Sequence, residues 1–139
     1  MEKLAHSAAY CGREQTYENH TEGVTKLIKD MLKDIQPYVP KVLYTRLERV
    51  LLAGEFHDVG KLDKEDQQVL RENKRKTALP IPHQIAGAKY LYEEYRDIYA
   101  AALVFGHHTP GLPDLNGDTK ELFCYYPQNC TMKKEELIN

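Results

Sequence analysis

Five of the six histidines in this sequence lie at the start or end of a helical pattern, and one of them is followed directly by an aspartate. Imidazole is the commonest neutral metal ligand in proteins, and an adjacent carboxylate can bridge two cations while neutralising part of their charge. The dipeptide His57-Asp58 is therefore the expected centre of a metal site. The other candidate ligands are His20, His83, His107 and His108.

Such a set of ligands suits phosphodiester hydrolysis. Two cations roughly 3.5 to 4 Å apart lower the pKa of a shared water and stabilise the attacking and leaving oxygens during in-line attack on phosphorus. A lone histidine on an apolar face is more often a hydrogen-bonded core residue than a ligand. Five histidines in similar settings reverse that judgement and favour a metal centre.

Two further residues near these patterns carry polar groups. Lys61 follows Gly60 directly after the His57-Asp58 dipeptide, so its ammonium can neutralise charge that develops on a phosphate oxygen or a leaving group. The alternative is a solvated lysine beyond a helix end. His6 lacks a helical setting and could equally be a surface residue, a capping side chain or a phosphate contact, so we do not count it as a ligand.

Other catalytic chemistries find little support. Ser7 and Cys11 have no partner at the spacing of a nucleophilic triad, and the chain contains no glycine-rich phosphate-binding loop. Covalent catalysis and ATP hydrolysis are therefore disfavoured.

The elements that must position these side chains are helices. An apolar stripe from Val24 to Ile35 predicts a core-facing helix that is capped by Asn19 and closed by Pro37, with His20 one turn before Val24. A second pattern, from Val42, runs into His57 and is stopped by Gly60. Further helices are predicted at about 64–73, 82–95 and 98–106, and strand alternation is weak. The prediction is an all-α bundle of about five to six helices around the metal site.

Composition limits the other properties. With 139 residues and 42% hydrophobic content, the chain predicts a single domain over 1–139. A formal charge of −2 gives no global basic field. The basic cluster of Arg71, Lys74, Arg75 and Lys76 could contact phosphates, but such a run is more often a solvated loop. Three cysteines without pairing spacing, and no run of eighteen apolar residues, predict a cytoplasmic protein that does not span a membrane.

The pattern resembles the HD superfamily, and more narrowly the HD nuclease of the helicase-nuclease that degrades DNA in type I CRISPR systems. The segments that carry the resemblance are Leu4-Ala5-His6-Ser7, Glu14-Gln15 before His20, Phe56-His57-Asp58-Val59-Gly60-Lys61, His83 with Ala86-Gly87-Ala88, Gly106-His107-His108 and Gly111-Leu112-Pro113. Together these segments are specific, whereas the His-Asp dipeptide alone is weak.

The resemblance implies a set of roles. His20, His57 and Asp58 would hold one metal, and Asp58, His83, His107 and His108 would hold the second. Asp58 and Lys61 would be the catalytic residues, with Lys61 close to the scissile phosphate, and the residues that bind the rest of the substrate are not assigned. The ions would be two divalent transition metals such as manganese, iron, cobalt or nickel. The implied activity is cleavage of single-stranded DNA beside a superfamily 2 helicase recruited to a crRNA-guided surveillance complex.

The chain also departs from the family pattern. It has no helicase motifs, and the family's final aspartate, which completes the first metal site from a further helix, has no counterpart before the chain ends at Asn139. Asp114 and Asp118 lie in a proline- and glycine-rich stretch that is typical of turns, so the ligand role is not transferred to them. We therefore expect a domain that lacks the C-terminal part of the pattern.

Two alternatives remain open. A phosphodiesterase for cyclic dinucleotides or nucleotides uses a similar set of histidines, but its loop after the histidine pair usually carries an acidic residue and Gly-Tyr-Pro. Here that loop is Thr109-Pro110-Gly111-Leu112-Pro113, which is similar to the CRISPR form. The other alternative is a catalytically silent HD binding module, which the missing aspartate motivates.

Overall fold

The computed structural model describes residues 2–72 and 78–108, and these residues form a helical bundle that confirms the predicted all-α class. Two short strands precede and follow the first helix: β1 (Leu4–His6) and β2 (Gln15–Thr16). The α-helices are α1 (Ala8–Cys11), α2 (Tyr17–Ile35), α3 (Lys41–Phe56), α4 (Lys64–Glu72), α5 (His83–Tyr90) and α6 (Ile98–Gly106). Short 3-10 turns follow α2 (Gln36–Tyr38) and α3 (Val59–Leu62), and a π-helical turn (Leu91–Tyr95) follows α5.

The start of α2 differs from the prediction. Thr16, not Asn19, is the cap: the Thr16 hydroxyl accepts a hydrogen bond from the backbone N–H of Asn19 at 3.2 Å. A threonine in extended conformation can satisfy a free N–H of the first turn, so the helix begins before the position that the apolar stripe suggests. The other end agrees with the prediction, because α2 ends at Ile35 and Pro37 lies in the following turn.

The end of α3 also differs. The helix stops at Phe56, and Gly60 lies inside the 3-10 turn that follows rather than ending α3 itself. The change of helix type redirects the chain within Asp58, whose backbone has φ −107° and ψ 8°.

The short strands have no clear signature in the sequence. β1 pairs antiparallel with β2, with Leu4 opposite Thr16 and His6 opposite Gln15. Strands of two and three residues are too short to show the alternation that predicts strands in a sequence. Their pairing brings β1 against the first turn of α2.

Small residues bring the helices of the core close together. Ala88 and Leu91 of the α5 segment and Ala100 and Ala101 of α6 are fully buried. A Cβ at Gly87 would lie 2.9 Å from a methyl carbon of Val104, so a side chain there would push α5 away from α6. Close packing of α5 on α6 and of α6 on α3 therefore fixes the ends of these three helices relative to one another.

The predicted core-facing stripe of α2 is only partly buried. Leu32 is buried and Val24 is half-buried, but Leu27 and Met31 are 61% and 58% exposed and Ile35 is also exposed. Within the described residues α2 packs mainly against α3, and one neighbouring helix does not cover the whole stripe. The prediction that the entire stripe faces the core is therefore wrong for its outer positions.

No helix among the described residues is long and apolar enough to cross a membrane.

Candidate metal centre

Asp58 lies at the centre of the site, where α3 gives way to the 3-10 turn, and its side chain is 2% exposed. Oδ2 lies 3.2 Å from His20 Nε2 and 3.5 Å from His57 Nε2. Oδ1 lies 3.4 Å from His83 Nε2 and 3.9 Å from His107 Nε2. The two oxygens of one carboxylate thus face two different groups of imidazoles, which we call the Oδ2 side and the Oδ1 side.

The Oδ2 side is formed by α2 and the end of α3. His20 Nε2 and His57 Nε2 lie 3.0 Å apart. Two nitrogens bound to one ion at about 2.1 Å and at right angles are separated by about 3.0 Å. The spacing of these imidazoles and the carboxylate oxygen therefore fits ligands of a shared cation.

The Oδ1 side is formed by helix ends. His83 is the first residue of α5, while His107 and His108 directly follow α6. The Nε2 atoms of His83 and His108 lie 2.8 Å apart, and the ligand atoms of Asp58, His83, His107 and His108 all lie within 4.8 Å of one another. These four residues form a second set whose spacing fits the ligands of one cation.

Backbone carbonyls orient two of the imidazoles. His57 Nδ1 lies 2.7 Å from the carbonyl oxygen of Gly54, and His107 Nδ1 contacts the carbonyl oxygen of Val104. A carbonyl only accepts, so each Nδ1 must donate its proton, and in the neutral ring Nε2 keeps a free lone pair. Metal-binding histidines are commonly held in this way by a hydrogen bond from the other ring nitrogen.

Burial keeps several imidazoles neutral. It lowers the pKa of His83 to about 3, and it lowers the pKa of His57, His107 and His108 below the ordinary histidine value. A neutral imidazole has the lone pair that a metal needs. These four imidazoles are therefore in the ligand-competent protonation state near neutral pH.

Lys61 and Asp58 form a buried ion pair, with Lys61 Nζ 2.7 Å from Asp58 Oδ2. Burial by itself would raise the pKa of Asp58, but the hydrogen bond from His20 and the charge and hydrogen bond of Lys61 hold that pKa below its usual range. Lys61 is 5% exposed, which rules out the alternative of a solvated lysine. Its expected place near a scissile phosphate stays a prediction.

Gly60 allows the Oδ1 side to form. A Cβ at this position would lie 2.6 Å from both Cα and the carbonyl oxygen of His83, and 2.8 Å from Cβ of Ala86. These are close contacts with backbone, which cannot swing aside as a flexible side chain can. Glycine therefore lets the 3-10 turn approach α5 closely enough for Asp58 to meet His83.

The structure brings together every ligand candidate from the sequence and adds one that sequence reasoning left out. The ligand atoms of His6, His20 and Asp58 lie within 4.8 Å of one another, and the rings of His6 and His20 meet edge to face at 4.7 Å. A three-residue strand carries His6, so no periodicity could have placed it beside α2.

Gln67 was also missed by sequence reasoning. It is buried and links β1 to the 3-10 turn. Its amide oxygen accepts from the backbone N–H of Leu4 at 2.9 Å, and its amide nitrogen donates to the carbonyl oxygens of Leu4 at 2.7 Å and Lys61 at 2.8 Å. Residues 63 positions apart meet here, which a local pattern cannot show.

A helical bundle whose buried carboxylate lies between two sets of imidazoles fits a protein that binds divalent cations. The family model described as HD domain matches residues 17–136. Because this match covers most of the chain, the protein belongs to the HD domain family. No curated protein and no solved structure matches the chain.

Membership of this family agrees with the donor set around Asp58. HD domains are typically metal-dependent phosphohydrolases that bind divalent cations, and the clustered imidazoles and carboxylate fit such ions. The single domain over 1–139 stays a prediction. Thr109-Pro110-Gly111-Leu112-Pro113, Asp114 and Asp118, on which part of the sequence analysis rests, lie outside the described residues.

Proposed function

We propose that the protein is a metal-dependent nuclease that hydrolyses phosphodiester bonds in single-stranded DNA. The observation that carries the proposal is the placement of Asp58, whose two carboxylate oxygens each face a separate group of imidazoles. His20 and His57 would hold one divalent ion, and His83, His107 and His108 would hold the other. Asp58 would be shared between them.

Bound cations would activate a water and offset charge on the attacking and leaving oxygens of the phosphodiester. The chain itself supplies the framework for this chemistry. Asp58 provides a carboxylate that stays ionised, and the carbonyls of Gly54 and Val104 keep Nε2 of His57 and His107 directed into the site. Lys61 places a positive charge beside the Oδ2 side, where it would offset charge on a phosphate oxygen.

Exposure favours approach of the substrate from the Oδ1 side. His107 and His108 are exposed, whereas Asp58 and Lys61 are buried. A phosphate group that reaches the centre from solvent would therefore meet the imidazoles after α6 first. A single DNA strand could approach along the exposed Oδ1 side, because its phosphates lie on the outside of the strand.

The choice of DNA rests on the resemblance of the motifs to the nuclease of type I CRISPR systems. In the described part of the chain these motifs are Leu4-Ala5-His6-Ser7, Phe56 to Lys61, Ala86-Gly87-Ala88 and Gly106-His107-His108. By the same resemblance, the protein would act in antiviral interference beside a superfamily 2 helicase and a crRNA-guided surveillance complex. Manganese, iron, cobalt and nickel are the ions to test, since imidazole nitrogen suits transition metals better than magnesium.

The test is cleavage of circular single-stranded DNA by the purified chain, after its bound metal has been quantified, with manganese or nickel added. Asp58→Ala serves as the inactive control, and Asp34→Asn, which removes an exposed carboxylate from α2, serves as the matched control. We expect wild type and Asp34→Asn to linearise the circle and Asp58→Ala to leave it intact. A circle reports internal cutting, and a duplex of the same sequence tests strand preference.

A second substrate separates the nuclease from the related phosphodiesterases. Cyclic dinucleotides are incubated with the same metal-loaded protein. Hydrolysis of these compounds without cleavage of DNA would overturn the choice of substrate while keeping the metal centre. Full DNA cleavage by Asp58→Ala would overturn the two-metal proposal, and metal binding without hydrolysis of either substrate would favour a silent binding module.

A further inference from the structure

His6 lies in the site but has no role in the function proposed above. Its ring meets the His20 ring at 4.7 Å, and its ligand atom lies within 4.8 Å of those of His20 and Asp58. Two ligands on opposite sides of one ion are about 4.2 Å apart when each metal–nitrogen distance is about 2.1 Å. The His6 imidazole is therefore within about 1 Å of the span that ligands of one ion can cover.

The strand that carries His6 is held from two directions. On one side β1 pairs with β2, and the backbone N–H of Tyr17 donates to the carbonyl oxygen of Lys3 at 2.8 Å. On the other side Gln67 bonds both backbone groups of Leu4 and the carbonyl oxygen of Lys61. These bonds tie the position of β1 to that of the turn that carries Lys61 and begins next to Asp58.

We propose that His6 is a ligand of the cation on the Oδ2 side of Asp58, together with His20 and His57. This inference rests on the metal centre of the proposed function. It assigns three imidazoles and one carboxylate oxygen to the Oδ2 side. The Oδ1 side has the same composition, because Asp58, His83, His107 and His108 form it.

The matched composition has a chemical consequence for the choice of metal. Three nitrogens and one oxygen on each side suit transition ions, whereas magnesium prefers oxygen ligands and keeps several waters. With His6 the Oδ2 side becomes as rich in nitrogen as the Oδ1 side. Both sides then favour the same class of ion, and magnesium is disfavoured at each.

The protonation state of His6 is compatible with ligation. Burial is the largest cause that lowers its pKa to about 4, and the nearby charge of Lys61 lowers it further. The imidazole is therefore neutral at neutral pH and carries a lone pair. A histidine that served only as a cation toward phosphate would need the opposite shift.

The first experiment uses the unaltered protein. Nitrogen NMR of the histidine rings is recorded on the full chain without metal and then with saturating Zn²⁺, which is diamagnetic. A ring nitrogen that binds the ion moves to the metal-bound shift range. We expect this change at His6 as well as at His20, His57, His83, His107 and His108.

The outcomes separate the inference from the proposed function. If His20 and His57 move while both His6 nitrogens keep their metal-free shifts, His6 is not a ligand and this inference is overturned. If no histidine moves, the metal centre itself fails, and the proposed function fails with it.

A pair of variants tests the same point through affinity. His6→Gln removes the imidazole with little change in volume, and Ser7→Ala removes the next buried polar side chain of the same segment. Loss of an outer-sphere partner typically weakens metal affinity by about 10- to 100-fold. We expect His6→Gln to weaken one of the two Co²⁺ binding steps by more than this. Ser7→Ala should bind as wild type does. Unchanged Co²⁺ affinity and visible spectrum in a folded His6→Gln protein would contradict the inference.

Discussion

The two sides of Asp58 differ in how the fold holds them. On the Oδ2 side, His20 comes from the first turns of a long helix, and the buried Lys61 contacts the same oxygen. One Oδ2-side histidine, His57, also lies at a helix end, whereas on the Oδ1 side all three histidines lie at helix ends and His107 and His108 are exposed. Under the proposed function, we therefore predict that the Oδ2 side retains its ion longer and that the Oδ1 side meets the substrate.

Removal of one ligand from either side should have the largest effect on metal binding. We predict that His20→Ala and His83→Ala each reduce bound Mn²⁺ from two ions to one, because each variant leaves the other side its own imidazoles. Each affected step should weaken by more than about 100-fold, since a direct ligand contributes more than an outer-sphere partner. The metal-free proteins are dialysed to equilibrium against increasing concentrations of Mn²⁺. The bound metal is then quantified at each concentration.

The two variants should also differ in exchange rate. The ion expected to remain in His83→Ala would lie on the Oδ2 side, next to the buried Lys61, and should exchange more slowly than the ion expected to remain in His20→Ala, next to the exposed His108. Equal exchange rates for the two remaining ions would contradict the assignment of a retaining and an open side. Asp34→Asn should keep both ions and serves as the control for the purification.

The hydrogen bonds of Gln67 to Leu4 and Lys61, which we call the Gln67 clamp, offer a second way to disturb the Oδ2 side without removing a ligand. We predict that Gln67→Leu lowers the free energy of unfolding by about 2 to 3 kcal/mol, because it leaves buried backbone groups of Leu4 and Lys61 without their partner. The same change should weaken metal binding on the Oδ2 side only. Urea unfolding and the metal titration above measure the two effects.

Gln68 provides the matched control for that clamp. It is the next residue of α4, is exposed, and within the described residues its side chain donates to the exposed carboxylate of Glu72 in the same helix. Gln68→Leu should therefore change the free energy of unfolding by less than about 0.5 kcal/mol. Equal losses in the two variants would show that the clamp does not hold β1.

Gly60 tests the Oδ1 side in the same way. A Cβ at this position would meet the backbone of His83 at 2.6 Å, so we predict that Gly60→Ala forces α5 outward and lowers the free energy of unfolding by about 1 to 3 kcal/mol. The Oδ1 side should lose metal affinity while the Oδ2 side keeps it. This result would be the mirror image of that expected for Gln67→Leu.

Gly23 is the control for Gly60. It lies in α2, and among the residues that the structure describes a Cβ there would meet nothing within 4 Å. Gly23→Ala should therefore stabilise the helix by about 0.5 to 1 kcal/mol, because alanine loses less backbone entropy on folding. A loss of stability in this variant would mean that the glycine scan reports something other than close contacts.

The helices were predictable because their apolar patterns are long and their ends carry proline or glycine. The histidines were recognisable for a related reason, since helix ends are where side chains from different helices meet. Lys61 was placed near the site from its position after Gly60, and the structure shows that it is buried there. These conclusions required only patterns within about one helix length.

The parts that escaped prediction depend on contacts between distant segments. His6 was left out because β1 is too short to show a period, and its neighbour His20 belongs to another element. Gln67 meets Leu4 across 63 positions of the chain. The exposed outer positions of α2, such as Leu27, were assigned to the core because periodicity shows which face of a helix is apolar but not how much of that face a neighbour covers.

The smallest effect that we predict is the pH dependence of the free energy of unfolding, which the buried imidazoles cause. In the metal-free protein, burial lowers the pKa of His83 to about 3 and of His6 to about 4, whereas an unfolded chain titrates its histidines near the ordinary pKa of 6.5. Below that pH the unfolded chain binds protons that the folded chain does not. The contribution of these groups to stability is therefore present above about pH 6.5 and is lost as the pH falls toward the folded-state values.

One group opposes this trend. Burial raises the pKa of Asp66 to about 6, so the folded protein takes up a proton there before the unfolded chain does. Several imidazoles shift in the other direction, so we expect a net uptake of at least one proton on unfolding. The free energy of unfolding should then fall by at least about 1.4 kcal/mol per pH unit between pH 6 and pH 5.

Urea unfolding of dialysed, metal-free protein at these two pH values measures the slope. His83→Gln should flatten it more than His108→Gln, because His83 is half-buried and His108 is exposed. Equal effects of the two variants would mean that burial does not set the protonation of the histidines on the Oδ1 side. A slope of zero in the wild-type protein would contradict the neutral imidazoles on which both sides depend.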